Sequence, residues 1–178
     1  FEARPDKAVA TPAFFGSFKV LKNHDLSVRA FYKRMFRMPT FNDLYYTDMG
    51  NAFLKPEYAE QFNVGLKYTR NFEKSPFMRM LDVSVDAYYN KITDKIIAYP
   101  KGQQFRWTML NLGEVEIKGV DAVLNTQFSL GKLEVTTKFQ YTYQKAIDIT
   151  DPADTYYRDQ IPYIPWHSGS AILALFYK

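Results

Sequence analysis

In Leu133-Glu-Val-Thr-Thr-Lys-Phe-Gln-Tyr-Thr-Tyr-Gln144 the odd positions hold Leu133, Val135, Thr137, Phe139, Tyr141 and Tyr143. The even ones hold Glu134, Thr136, Lys138, Gln140, Thr142 and Gln144. Successive side chains of a β-strand point to opposite faces, so a period of two over this length demands a strand with one apolar and one polar surface. Leu133, Val135, Phe139 and Tyr141 are predicted on one face and Glu134, Lys138 and Gln140 on the other; a slip of one residue would invert them all. The same alternation sets Phe62, Val64, Leu66 and Tyr68 against Gln61, Asn63, Lys67 and Thr69. It also sets Leu81, Val83, Val85, Ala87 and Tyr89 against Asp82, Ser84, Asp86 and Asn90.

Weaker versions cover 13–22, 25–36, 117–129 and 166–178, with no convincing amphipathic helix between them. The fold class is therefore all-β, with about seven antiparallel strands in up-and-down order. Short turns at Asn23-His-Asp25, Glu73-Lys-Ser-Pro76 and Leu130-Gly-Lys132 carry the residues that tight turns require. They alternate with long connections at 37–56, 93–112 and 146–165. One end of such a sheet is trimmed and the other elaborate, and all three long connections leave from the same end. Long amphipathic strands with short turns at one end fit a transmembrane β-barrel, whose apolar face meets lipid and whose polar face meets the lumen. A soluble meander, or a soluble β-sandwich that binds carbohydrate through Trp107 and the tyrosines, is the alternative from pattern alone.

The 14 Tyr and 15 Phe, set in a chain of mean hydropathy -0.34, suit both strands and a membrane-water boundary. No apolar run is long enough for a membrane-spanning helix; Ala171-Ile-Leu-Ala-Leu-Phe176 is the best of them. The first residues do not have the pattern of a signal peptide. The net charge of +4 is spread along the chain without a like-charged block, which argues against a nucleic-acid partner. With no cysteine, disulfides, thiolate catalysis and cysteine-ligated zinc are excluded.

The stretch RMPTFNDLYYTDMGNAFLKPE, residues 37–57, is too long for a turn and follows neither period; loops of this kind in compact domains are usually functional or disordered, and its aromatic, punctuated composition argues against disorder. With the preceding Phe36, its Arg37, Pro39, Leu44-Tyr45, Gly50-Asn51 and Leu54-Lys55-Pro56-Glu57 resemble the most recognisable part of the barrel of TonB-dependent outer-membrane receptors. Phe62 to Tyr68, Asn111-Leu-Gly113 with Ile117-Lys-Gly-Val-Asp121, and Tyr163-Ile-Pro165 with His167 continue the resemblance in order. The resemblance implies a nutrient receptor of the cell outer membrane, with a barrel of roughly 22 strands and a plugged lumen. Its cargo would be an iron chelate, cobalamin or a glycan, and its energy would come from the TonB complex acting on the plug. Residues 1–178 are then expected to form a partial β-barrel domain from the carboxy-terminal part, without the plug and the closing strand. Pro39 and Pro56 would end strand pairing by removing ladder donors, and Gly113 and Gly119 would admit a bend or a neighbouring side chain.

No catalytic residues are expected. His24 falls in a short turn and His167 near a strand start, and no nucleophile, phosphate-loop or His-Glu-x-x-His motif occurs. An outer-membrane enzyme with catalytic groups on its loops is the remaining enzymatic alternative. Asp148, Asp151, Asp154 and Asp159 could gather oxygen ligands for calcium but have no EF-hand spacing, so no metal or other cofactor is assigned. Candidate ligand contacts are the aromatic and basic residues of the long connections: Tyr45, Tyr46, Arg106, Trp107, Tyr157 and Arg158. Rings supply contact area, and a guanidinium pins anionic or hydroxyl groups. Tyr99 and Tyr156 belong to the same clusters.

Overall fold

A computed structural model describes residues 8–21, 25–101 and 106–178. It contains seven strands: β1 (Ala13–Lys19), β2 (Asp25–Arg37), β3 (Glu57–Asn71), β4 (Met78–Lys101), β5 (Arg106–Leu130), β6 (Leu133–Asp148) and β7 (His167–Tyr177). They form a single antiparallel sheet in the order of the chain. Among the described residues no second sheet packs on it, which removes the sandwich. Among the described residues β1 and β7 each pair on one side only. The turn at Asn23-His-Asp25 and the position of His24 lie largely outside the described residues.

Cross-strand partners share a face, so the register sorts every side chain. Phe139 opposes Leu124, Tyr141 opposes Ala122 and Val135 opposes Phe128, whereas Lys138 opposes Asn125 and Gln140 opposes Val123. The sidedness predicted for β6 holds. One row of the apolar face runs Phe18, Val28, Leu66, Val85, Ala122, Tyr141 and Gly169 across all seven strands. Another row sets rings side by side: Phe14 stacks on Tyr32 at 6.4 Å, and tilted contacts join Tyr32 to Phe62 at 4.8 Å and Phe62 to Tyr89 at 6.3 Å. This face is open, with Val64 56% exposed.

The opposite face carries hydrogen-bonded charge. Asp82 accepts from Thr69 Oγ1 at 2.7 Å and from Asn125 Nδ2 at 3.0 Å, and Lys67 lies 3.4 Å away. Asp121 accepts from Thr142 Oγ1 at 2.6 Å. Towards the end with the long connections this face turns apolar: Ala59, Ile92, Val115, Ile117 and Ala146 cluster there and are buried by Ile161 from the β6–β7 connection. Period two alone does not reveal this core, because the residues that cover it lie outside the strands.

Two expectations change. Residues 93–112 are not a loose connection: β4 and β5 continue as a paired hairpin from Lys95 opposite Leu112 to Lys101 opposite Arg106. Beyond Thr93 and Val115 neither β3 nor β6 follows it, so it stands out as a two-stranded stalk. Residues 38–56 contain a short helix, α1 (Phe41–Tyr45), begun by a capping box in which Asp43 N–H donates to Thr40 Oγ1 and Thr40 N–H to Asp43. The long connections after β2, β4 and β6 leave from the same end, as the up-and-down order requires.

Candidate functional site

The stalk is the centre of that end, and the two other connections pack on its two faces. From one side come residues 38–56. Pro39 is buried where the chain leaves β2, and Arg37 reaches both Asp43 of α1 and Glu57 at the start of β3, at 3.6 and 3.9 Å. Gly50 lies against the end of α1 so closely that a Cβ there would come within 2.7 Å of three backbone atoms of Leu44, Tyr45 and Tyr46. Asn51 Nδ2 donates to Met109 O at 3.0 Å, and Met109 N–H donates to Met49 O at 2.8 Å. Asn111 then holds Lys55 twice, accepting from its N–H at 2.8 Å and donating to its carbonyl at 3.1 Å. Glu57 accepts from Ile96 N–H at 3.0 Å. The loop is thus tied to the stalk by residues of the motifs noted above, and Leu54 is buried to 2% exposure beneath it.

Residues 149–166 cover the other face. Thr150 Oγ1 accepts from Glu114 N–H at 2.9 Å, in space left by Gly113, where a Cβ would approach that oxygen to 2.9 Å. Ile161 N–H donates to Ala146 O at 2.9 Å, and Gln160 accepts from Ala146 N–H at 3.0 Å, which fastens the loop along β6. The carboxylates of Asp148, Asp151 and Asp154 accept from backbone N–H groups two residues on, at 2.8, 2.9 and 3.0 Å, as side-chain turns. Among the described residues no three His, Asp or Glu side chains form a set that could hold a metal ion.

Between this loop and the stalk lies a cleft of about 430 Å³. Ile97, Leu110 and Leu112 make its apolar floor, and Tyr99, Tyr156, Asp154 and Asp159 line its polar part. Rings and carboxylates over an apolar floor suit a bulky ligand that presents amide or hydroxyl groups. A predominantly anionic ligand would meet like charge.

The six candidate contacts share this end but not one cluster. Tyr45 ends α1 with its ring tilted against that of Phe41 at 5.1 Å, and Tyr46 lines a shallow groove with Met49 and Met109. Arg106 is exposed at the start of β5. Trp107, opposite Pro100, meets Tyr163 of the β6–β7 connection in a tilted ring contact at 5.9 Å. Tyr157 is half-buried, and Arg158 is exposed with φ 69 and donates its N–H to Asp148 O at 2.7 Å. The cleft's apolar floor was not legible as a site in sequence, since Ile97, Leu110 and Leu112 read as ordinary core residues. His167 accompanies Tyr141, whose hydroxyl is 2.8 Å from Nδ1.

The comparison with known proteins agrees with this architecture. The family model of the TonB-dependent receptor-like β-barrel matches residues 2–178. The vitamin B12 transporter BtuB of Vibrio vulnificus is 32% identical over 99 residues, which are 56% of this chain and 14% of that protein. The vitamin B12 transporter BtuB of Photobacterium profundum is 34% identical over 113 residues, 60% of this chain and 16% of that protein. The alignments therefore span only 14% to 16% of the length of these curated relatives. With the family model matched along nearly all of its length, the chain belongs to the TonB-dependent receptor-like β-barrel family.

Proposed function

We propose that the chain supplies wall, lumen lining and part of the ligand vestibule of an outer-membrane receptor that captures a scarce nutrient and imports it with energy from the TonB complex, transmitted through a plug domain. It carries no covalent chemistry in this reading. The observation that supports it best is the outward face of β3, where the charges Glu60 and Arg70 bracket Phe62, Val64, Leu66 and Tyr68. The bracket is about ten residue steps, or ~33 Å along the strand at ~3.3 Å per residue. A strand tilted by ~40° covers ~25 Å of membrane normal in that length, the height of the apolar band of outer-membrane barrels. The opposite face, with Arg29, Lys67, Asp82, Asp86 and Asp121, suits a hydrated or plugged lumen.

Cobalamin is the cargo this reading favours, ahead of a glycan and of an anionic iron chelate. The matched relatives are named as vitamin B12 transporters, and the cleft beside the stalk offers rings and carboxylates to a large ligand rich in amides. The test is uptake of labelled cobalamin by cells whose only corrinoid receptor is the full-length protein, with and without an active TonB complex. Saturable uptake that vanishes without TonB is expected. Uptake indifferent to TonB overturns the energy-coupled reading, and TonB-dependent uptake of a different nutrient overturns the cargo.

A further inference from the structure

The outward face changes character just beyond its aromatic row, towards the long connections. Arg34, Glu60, Lys91 and Glu116 stand in register on β2 to β5, with alternating sign. Lys91 Nζ also meets Glu114 at 2.8 Å. The alternation fails one row nearer the membrane on β5 and β6, where Lys118 and Lys145 are direct cross-strand partners. Like charges placed opposite each other weaken a sheet. The outward positions of β6 hold no acidic residue, and β7 has none at all.

One carboxylate meets Lys118. Glu116 lies 2.8 Å from Lys118 Nζ, and it also accepts from Tyr89 Oη at 3.1 Å. Lys145 Nζ sits over the Trp166 ring at 5.6 Å, and Lys118 Nζ over the Tyr89 ring at 5.4 Å. Both ammonium groups are thereby held at fixed aromatic platforms. Glu116 is thus engaged by Lys118, among the described residues no carboxylate forms an ion pair with Lys145, and the balance of charge at the lysine pair favours an anion.

The rows next to the lysines identify the anion's source. Val120 opposes Tyr143, Ala122 opposes Tyr141 and Leu124 opposes Phe139, an unbroken apolar track on the same face. Trp166 and His167 flank it, with Tyr143 6.2 Å from the first ring and 5.2 Å from the second. A free phosphate would use only the lysines. A lipid would use both parts, its headgroup phosphate on the ammonium groups and its chains along the track. We propose that Lys118 and Lys145 bind the headgroup phosphate of a membrane lipid, with Tyr143 and Trp166 against the first part of its apolar body.

The proposal rests on the outer-membrane reading and is tested on the full-length receptor purified in a mild, uncharged detergent. Phosphatidic acid is titrated into the micelles, with diacylglycerol as the uncharged control, and bound lipid is counted by native mass spectrometry. Heat-modifiable migration on gels reports that the barrel is intact. Replacing both residues, Lys118→Gln with Lys145→Gln, should weaken phosphatidic acid binding about tenfold or more, since each lysine near a lipid phosphate contributes a several-fold factor. Diacylglycerol retention should not change. Equal phosphatidic acid binding by the double variant overturns the proposal, and so does displacement of the lipid by an equal concentration of inorganic phosphate. Glu116→Gln keeps both lysines and removes their competing carboxylate, so it should strengthen binding about threefold; no gain there also overturns the site, whatever the double variant does. A receptor that does not enter bilayers contradicts the outer-membrane reading itself, whereas an inserted barrel indifferent to phosphatidic acid contradicts this inference alone.

Discussion

Arg29 of β2 and Asp86 of β4 form a two-pronged ion pair across the strand that lies between them. Arg29 Nε donates to Asp86 Oδ1 at 3.0 Å, and the second prong joins Nη2 to Oδ2. The residue of β3 opposite both is Gly65. Strands two places apart are separated by ~10 Å, and the two side chains close that gap only by meeting above a position without a Cβ. A Cβ on Gly65 would overlap Asp86 Oδ1 and come within 2.8 Å of Arg29 Nε.

Gly65→Ala should therefore break the pair and destabilise the barrel by ~1–3 kcal/mol, the range for displacing a charged hydrogen-bonded contact. Gly16→Ala is the control, because its Cβ would meet nothing within 4 Å in the described sheet. Urea unfolding of the full-length barrel in lipid vesicles reads both. Equal stability of the two variants would show that the ion pair adapts at no cost.

Asn111 is expected to be the residue on which residues 38–56 depend. Its side chain meets both backbone groups of Lys55 and donates to Asp94 O at 2.7 Å. Asn111→Ala leaves three backbone groups to find water, at ~1–3 kcal/mol in all. Hydrogen exchange should accelerate at the Lys55 amide and little at Val64 in the sheet. Unchanged protection at Lys55 would mean that Asn51 and Glu57 hold the loop without it.

How much of this was legible in the residues depends on which faces are covered. β6 was legible because one of its faces is apolar and the other is not, so Leu133 to Gln144 carries the period unbroken. The stalk was not, because loops cover both its sides: Ile96 and Ile97 are adjacent and apolar, Ile96 is buried and Ile97 lines the cleft, and a strand covered on both sides does not alternate. α1 is too short for a 3.6-residue period, and its only signal was the Thr40-x-x-Asp43 box. The contact of Asn111 with Lys55 spans 56 positions of the chain, and no local pattern encodes it. Gly119 was legible as a close approach but not its visitor, the ring of Tyr88 from β4.

Thr126 and Thr137 face outward as cross-strand partners, their hydroxyl oxygens 2.6 Å apart, and Thr126 is only 6% exposed. In an apolar band the two hydroxyls satisfy each other. Thr126→Val alone should cost ~1–2 kcal/mol by orphaning its partner, while replacing both by Val should be close to neutral. A double-mutant cycle in vesicle unfolding measures the coupling, expected at ~0.5–2 kcal/mol. Additive single costs would show that each hydroxyl finds another acceptor on its own strand.

Arg106 and Trp107 differ in what they touch, and this separates binding from architecture. Arg106 is exposed at the start of β5, while Trp107 makes a tilted ring contact with Tyr163 and so joins the stalk to the β6–β7 connection. If both contact cargo, Arg106→Ala should weaken binding several-fold with no change in the loop, because a solvent-exposed guanidinium contributes little to packing. Trp107→Ala should weaken binding and also loosen the wall of the cleft. Trp107→Phe keeps a ring against Tyr163 and should restore most of the loop's hydrogen-exchange protection at Ile164 while recovering only part of the affinity. Cargo titration of the three variants, each checked for an assembled barrel, decides the matter. Full affinity in Trp107→Phe would show that the ring acts on cargo only through Tyr163, and unchanged affinity in Arg106→Ala would remove the guanidinium from the ligand site.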